Sequence, residues 1–179
     1  MYLNREETVV FIVDMQTELF KVMSRKEQLL QDVIKLLKGC SIFQLPTITT
    51  EQYPQGLGPT LPEIDSFLDE TNIFSKLSFS GYTPEVKDCL EKIGKKKVIL
   101  IGLESHVCVF QTCRDLLKNG HQVFIPIECV SSRSPIHMHN ALELMQNMGA
   151  YITNIETVLF DLLKTAQAPE FKSISSLVK

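Results

Sequence analysis

The sequence has no CxxC pair, no apolar run long enough to cross a bilayer and no excess of basic charge. Its five cysteines (Cys40, Cys89, Cys108, Cys113 and Cys129) are scattered and odd in number. That pattern argues against a disulfide framework and suits a reducing compartment, with the cytosol as the expected location. The longest apolar stretches, Val9–Val13 and Val98–Leu103, are strand length, far below the about 20 residues of a spanning helix. The first seven residues hold no apolar signal core and turn acidic before the first strand, which argues against a secretory or transit peptide. A net charge of −3 over 179 residues gives no electrostatic grip on nucleic acid or an anionic membrane. Lys95–Lys97 is the only basic run and reads as a solvated turn. No G-x-G-x-x-G follows the first strand, and no G-x-x-x-x-G-K-S/T occurs anywhere. With no repeat, low-complexity tract or linker, residues 1–179 read as a single domain.

What the chain does have is strand and helix signals in alternation. Strands are expected at Thr8–Val13, Pro46–Thr50, Val98–Ile101, His121–Ile127 and Ala150–Asn154, and Asn72–Phe79 reads as compact and extended. Between them, Arg25–Leu37 carries a helical apolar stripe. Thr83-Pro84-Glu85 is a cap with proline at the first helical position, and Ser134-Pro135 opens a helix that Gly149 ends. Ile155–Leu163 reads as a last long helix, and the tail beyond Ala166 is weakly patterned. Glu51–Pro62, with three prolines and two glycines, reads as a loop leaving a strand. Apolar strands alternating with helices predict an α/β fold: a three-layer α/β/α sandwich around a mostly parallel sheet of about six strands.

Three polar groups stand in unusual places. Asp14 follows the first strand at its carboxyl end, Lys76 lies in an extended segment rich in apolar residues, and Cys108 follows the strand ending at Ile101. Residues at the carboxyl ends of parallel strands converge on one edge, where open α/β sheets hold ligands. With a helix over His106–Lys118, Cys108 sits near a helix N-terminus. Free N–H groups there stabilise a thiolate and bring its pKa into a range of about 3.5–7.5. A carboxylate beside a thiol accepts its proton, and a nearby lysine orients the carboxylate. Backbone N–H groups of Glu104 and Cys108 are placed to hold the oxyanion of an attacked carbonyl. The remaining cysteines read as small buried hydrophobes.

Phe11-Ile12-Val13-Asp14-Met15-Gln16 with Phe20, then Lys76, then Gly102-Leu103-Glu104-Ser105-His106-Val107-Cys108-Val109 resemble the isochorismatase-like cysteine hydrolase superfamily. Its members include nicotinamidases and N-carbamoylsarcosine amidohydrolases. The likeness runs from about Thr8 to Leu163. Thr50-Glu51-Gln52-Tyr53-Pro54, Gly56-Leu57-Gly58 and Ser131-Ser132-Arg133-Ser134 resemble its isochorismatase domain-containing subgroup. The resemblance implies a Rossmann-like hydrolase fold and a catalytic triad of Asp14, Lys76 and Cys108. It also implies a cis peptide at Leu103–Glu104 that aims the Glu104 N–H into the oxyanion hole, and an oligomer of identical subunits. Nicotinamidases carry an aspartate and two histidines after the second strand to bind a metal. Here the matching loop, Glu51–Pro62, has no histidine, so no metal and no cofactor are expected.

The expected function is a metal-independent hydrolase cleaving a small amide, or a related C–N or ester bond, through a covalent thioester. The alternatives are a non-catalytic interaction or scaffold module on the same fold and a thiol redox sensor. Gln16, Phe20, Gln52 and Tyr53 are candidates for the substrate pocket or for packing alone. His106 either touches ligand or faces solvent, and Arg133 reaches either the pocket or a neighbouring subunit. His137 and His139, two residues apart on a helix, do not share a face and make a poor metal pair.

Overall fold

Seven parallel strands organise the computed structural model, which describes residues 2–179. The strands are β1 (Thr8–Val13), β2 (Thr47–Gln52), β3 (Ile73–Lys76), β4 (Lys97–Leu103), β5 (Gln122–Pro126), β6 (Val130–Ser131) and β7 (Tyr151–Thr153). They lie in the order β3-β2-β1-β4-β5-β7. Little β6 continues the β5 flank past a 3₁₀ turn at Ile127–Cys129 and pairs with the end of β4. The sheet therefore holds seven strands where the sequence pattern gave about six. The chain runs outward from β1 through β2 to β3, then returns to β4 and runs outward the other way. The gap between the carboxyl ends of β1 and β4 is thus the topological switch point, where such sheets open a crevice.

All six residues of β1 and all seven of β4 are buried, because helices cover both faces. Side chains alternate along each strand. Val10, Ile12, Ile99, Ile101 and Leu103 face a core formed with α2 (Lys26–Ile42), α7 (Ile155–Leu163) and α8 (Phe171–Leu177). Val9, Phe11, Val13, Val98 and Leu100 face the opposite core with α4 (Pro84–Ile93), α5 (Phe110–Lys118) and α6 (Pro135–Asn147). Two short helices, α1 (Thr17–Lys21) and α3 (Pro54–Leu57), lie on loops that leave the carboxyl edge.

Several expected boundaries move. Helix α2 continues five residues past Leu37, because Gly39 is a contact rather than a stop. A Cβ there would come within 2.3 Å of the Leu159 side chain on α7. Glu51 and Gln52 belong to β2, extended by pairing with Ser75 and Lys76 of β3, and the expected loop shrinks and contains α3. The thiol-bearing segment differs too. Ser105–Val109 forms a π-helical turn, and α5 begins only at Phe110. Cys108 therefore lies inside an irregular turn, of the kind π geometry often supplies at functional sites. Thr83 caps α4 as expected, its Oγ1 accepting from the Val86 N–H at 3.4 Å.

Gly102 sets how closely β4 approaches β1. It pairs with Val13 at φ +135°, and a Cβ would stand 2.0 Å from the Val13 carbonyl oxygen. Backbone cannot yield there as a flexible side chain does. Gly102→Ala is expected to destabilise the fold by about 2 kcal/mol or more in denaturant melts. A loss under about 0.5 kcal/mol would show that the strands separate freely.

Candidate active site

The carboxyl ends of β1, β3 and β4 bring Asp14, Lys76 and Cys108 together. Asp14 adopts a left-handed conformation, φ +51°, as the chain leaves β1, a region that aspartate tolerates better than most residues. Its N–H donates to the Thr50 carbonyl at 3.0 Å. Its Oδ1 accepts from Thr50 Oγ1 at 2.8 Å, and its Oδ2 accepts from Lys76 Nζ at 2.6 Å. Both charged side chains are buried. Lys76 Nζ also donates to the Ser78 and Phe79 carbonyls at 3.0 and 3.1 Å. With a longer bond to Gln52 Oε1 at 3.4 Å sharing a hydrogen, four acceptors engage all three ammonium hydrogens. Burial raises the pKa of Asp14 despite the opposing pull of Lys76, Cys108 and Thr50. The result is a paired carboxylate more basic than an ordinary one.

The Cys108 thiol donates to Gln52 Oε1 at 3.1 Å, and the Asp14 carboxylate lies close enough for its charge to bear on the sulfur. The Glu104 N–H is directed at the same sulfur, and the Leu103–Glu104 peptide is cis, as the resemblance implied. A thiolate at rest is not what this environment favours, contrary to the expectation from a helix N-terminus. Burial comes first and the Asp14 charge second; together they outweigh the Lys76 ammonium and push the thiol up to about 12. The sulfur rests as a neutral thiol beside a base.

A cavity of about 140 Å³ adjoins the sulfur, walled by Leu19, Gln52, Leu57, Phe79, Glu104 and Val107. Of the six expected pocket residues only Gln52 lines it. Gln16 is wholly buried and braces the loop instead: its Oε1 accepts from the Gln52 N–H at 2.7 Å, and its Nε2 donates to the Gln52 and Gly58 carbonyls. Phe20 packs against the core beneath α2. Tyr53, at φ +39°, is exposed and lies against Gly56. His106 Nδ1 bonds Ser132 Oγ at 3.0 Å, and its ring leans on His137 beside a separate hollow. Arg133 stays exposed, its Nε donating to Glu104 Oε2 at 3.2 Å. The walls the sequence reading missed are Leu19, Leu57, Phe79 and Val107. Apolar residues in loops look the same whether they pack or bind. A roomier hollow of about 390 Å³ near Tyr82, Lys95 and His121 has no cysteine in its wall.

Fold and site together define an α/β protein with a carboxylate, an ammonium and a thiol clustered at the sheet's switch point. A profile of the isochorismatase domain matches residues 8–157. Isochorismatase domain-containing protein 2 of Xenopus laevis is 34% identical, covering 98% of this chain and 85% of that protein. The secreted isochorismatase effector Isc1 of Phytophthora sojae is 36% identical, over 96% of this chain and 84% of its own. Among solved structures, the MAR1 ribonuclease of Caenorhabditis elegans superposes with a TM-score of 0.93 at 35% identity. It covers 99% of this chain and 92% of its own. The chain belongs to the isochorismatase family.

Two tests address the electrostatics. Lys76→Met leaves a buried carboxylate without its partner and is expected to cost about 3–5 kcal/mol, much of it recovered by adding Asp14→Asn. Equal stability of the single and double variants would contradict the pairing. For Cys108 the folded-state pKa lies above the unfolded one, so between about 9 and 12 the unfolded chain loses the proton that the folded chain keeps. The stability of the wild type relative to Cys108→Ala should therefore fall as pH rises from 8 to 10. A difference that grows with pH would indicate a thiolate at rest.

Proposed function

We propose that this protein is a cysteine hydrolase that opens a small amide, or a related C–N or ester bond, through a thioester on Cys108. One observation carries the reading: a buried, Lys76-paired Asp14 lies close enough to the Cys108 thiol for its charge to raise the thiol pKa, and both Lys76 Nζ and the thiol donate to Gln52 Oε1. A neutral thiol next to a carboxylate of raised pKa suits proton transfer during attack, since the two proton affinities converge as sulfur commits to carbon.

In the scheme, Asp14 takes the thiol proton while the S–C bond forms and the carbonyl π pair moves onto oxygen. The Glu104 and Cys108 N–H groups hold that oxyanion, each worth about 10²–10³ in rate. Collapse breaks the C–N bond, and the amine leaves with the proton from Asp14. Water then attacks the thioester, giving its proton to Asp14, and the departing sulfur takes it back. Lys76 favours the ionised carboxylate before attack and keeps the group aimed throughout. No step calls on a metal, in keeping with a Glu51–Pro62 loop that has no histidine.

The chain is proposed to work as one catalytic domain in the cytosol, where five unpaired cysteines persist. No described helix is long and apolar enough to cross a membrane. Self-association is proposed through α6, which leaves Ile136 and Leu144 exposed. The ribonuclease named for the Caenorhabditis elegans relative belongs to that protein. A chain of net charge −3 gives a polyphosphate strand little attraction. A redox sensor wants a thiolate at rest, and burial together with the Asp14 charge pushes the Cys108 thiol up to about 12.

Turnover of short amides and aryl esters provides the test. Cys108→Ala is expected to abolish hydrolysis, and Asp14→Asn to lower kcat by about 10²–10⁴. Wild-type turnover by the Cys108→Ala variant would overturn the assignment.

A further inference from the structure

We infer that the substrate portion lodged against Cys108 is short and uncharged, so that this site takes a neutral acyl compound and rejects carboxylate-bearing ones. This deepens, and rests on, the cysteine-hydrolase reading. The hollow beside the sulfur is bounded by hydrocarbon from Leu19, Leu57, Phe79 and Val107. Its volume of about 140 Å³ corresponds to roughly five non-hydrogen atoms at about 30 Å³ each. That fits a chain of acetyl to butyryl length.

Charge is the sharper constraint. Lys76 is the cation nearest the thiol, and its hydrogens are taken by Asp14, Ser78 and Phe79. The one ionisable wall residue besides the thiol is Glu104, a carboxylate that would repel an anion. Arg133 lies on the solvent side of the Glu104 carboxylate, its side chain 62% exposed and its Nε already donating there at 3.2 Å. A substrate carboxylate in the hollow would lose its water, find no cation among the wall residues and lie near Asp14 and Glu104. A neutral amide loses far less on entry, and its carbonyl oxygen meets the Glu104 N–H. The family's name therefore does not describe what this cavity accepts, since isochorismate carries two carboxylates and a six-membered ring.

Paired alkylating agents of nearly equal size test the inference on the whole protein. Iodoacetamide and iodoacetate each form an S–C bond at Cys108, break C–I and release iodide, while the thiol proton passes through Asp14 to water. Rates are read by mass mapping of the Cys108 peptide and divided by the rate of each reagent with free N-acetylcysteine. The normalised preference for iodoacetamide is expected to exceed about tenfold. Leu57→Arg, which adds a cation to the wall, should reduce it to about threefold or less. Phe79→Arg, at a half-exposed side chain, supplies the same change if the first variant does not fold. A wild-type preference near one, or an unchanged preference in a folded arginine variant, overturns the inference and leaves the nucleophile standing. Failure of both reagents to modify Cys108 overturns the inference and the nucleophile together.

Discussion

The ion pair between Asp14 and Lys76 is the constraint on which the rest of this site depends. Two opposite charges with almost no solvent exposure persist only when hydrogen bonds satisfy what their mutual attraction leaves over. Thr50 Oγ1 takes the second carboxylate oxygen, and the Ser78 and Phe79 carbonyls take the remaining ammonium hydrogens. The pair thereby ties β1 to β3 across the intervening β2. It also fixes the chain after β3, whose Phe79 side chain walls the cavity. Structure and chemistry share one set of contacts.

The thiol completes the cluster from the other side of the switch point. Gly102 lets β4 run close against Val13, and the π turn after it turns Cys108 toward the end of β1. Thr112 anchors this turn: its Oγ1 donates to the Cys108 carbonyl at 2.6 Å and accepts from the Gly81 N–H at 2.7 Å. One hydroxyl thus links the nucleophile's backbone to the loop following Lys76. Gln52 sits between the two charged partners and the sulfur, its Oε1 3.1 Å from Sγ and 3.4 Å from Nζ. It bridges the ammonium and the thiol without carrying charge.

Much of this was legible before any coordinates. The unbroken apolar runs of β1 and β4, the Thr83-Pro84 cap and the Ser134-Pro135 start are local signals, and the structure keeps them. Asp14, Lys76 and Cys108 stood out because each breaks an apolar context, and convergence at a parallel sheet's carboxyl edge follows from topology. Three features depended on contacts distant in sequence. Helix α2 runs past its expected end at Leu37, where Gly39 lets Leu159 lie close against it. Gln16 reads as a ligand contact unless the Gln52 and Gly58 carbonyls are known to claim its amide. The thiol's acidity depends on how deeply it is buried and which carboxylate it meets, neither of which the local helix signal carries. The cavity walls were invisible for a simpler reason, since Leu57 and Phe79 announce only that they are apolar.

The central claim is that Asp14, Lys76 and Cys108 act as one nucleophilic unit, and the intermediate is its most direct witness. The deciding measurement is acid-quenched mass spectrometry of the enzyme mixed for milliseconds with a nitrophenyl ester of a short neutral acid. The account predicts an acyl group on the peptide carrying Cys108 (a thioester cleaved by hydroxylamine), forming far more slowly when Asp14 is asparagine. Acylation confined to another residue, or formed at the same rate without the Asp14 carboxylate, would contradict it.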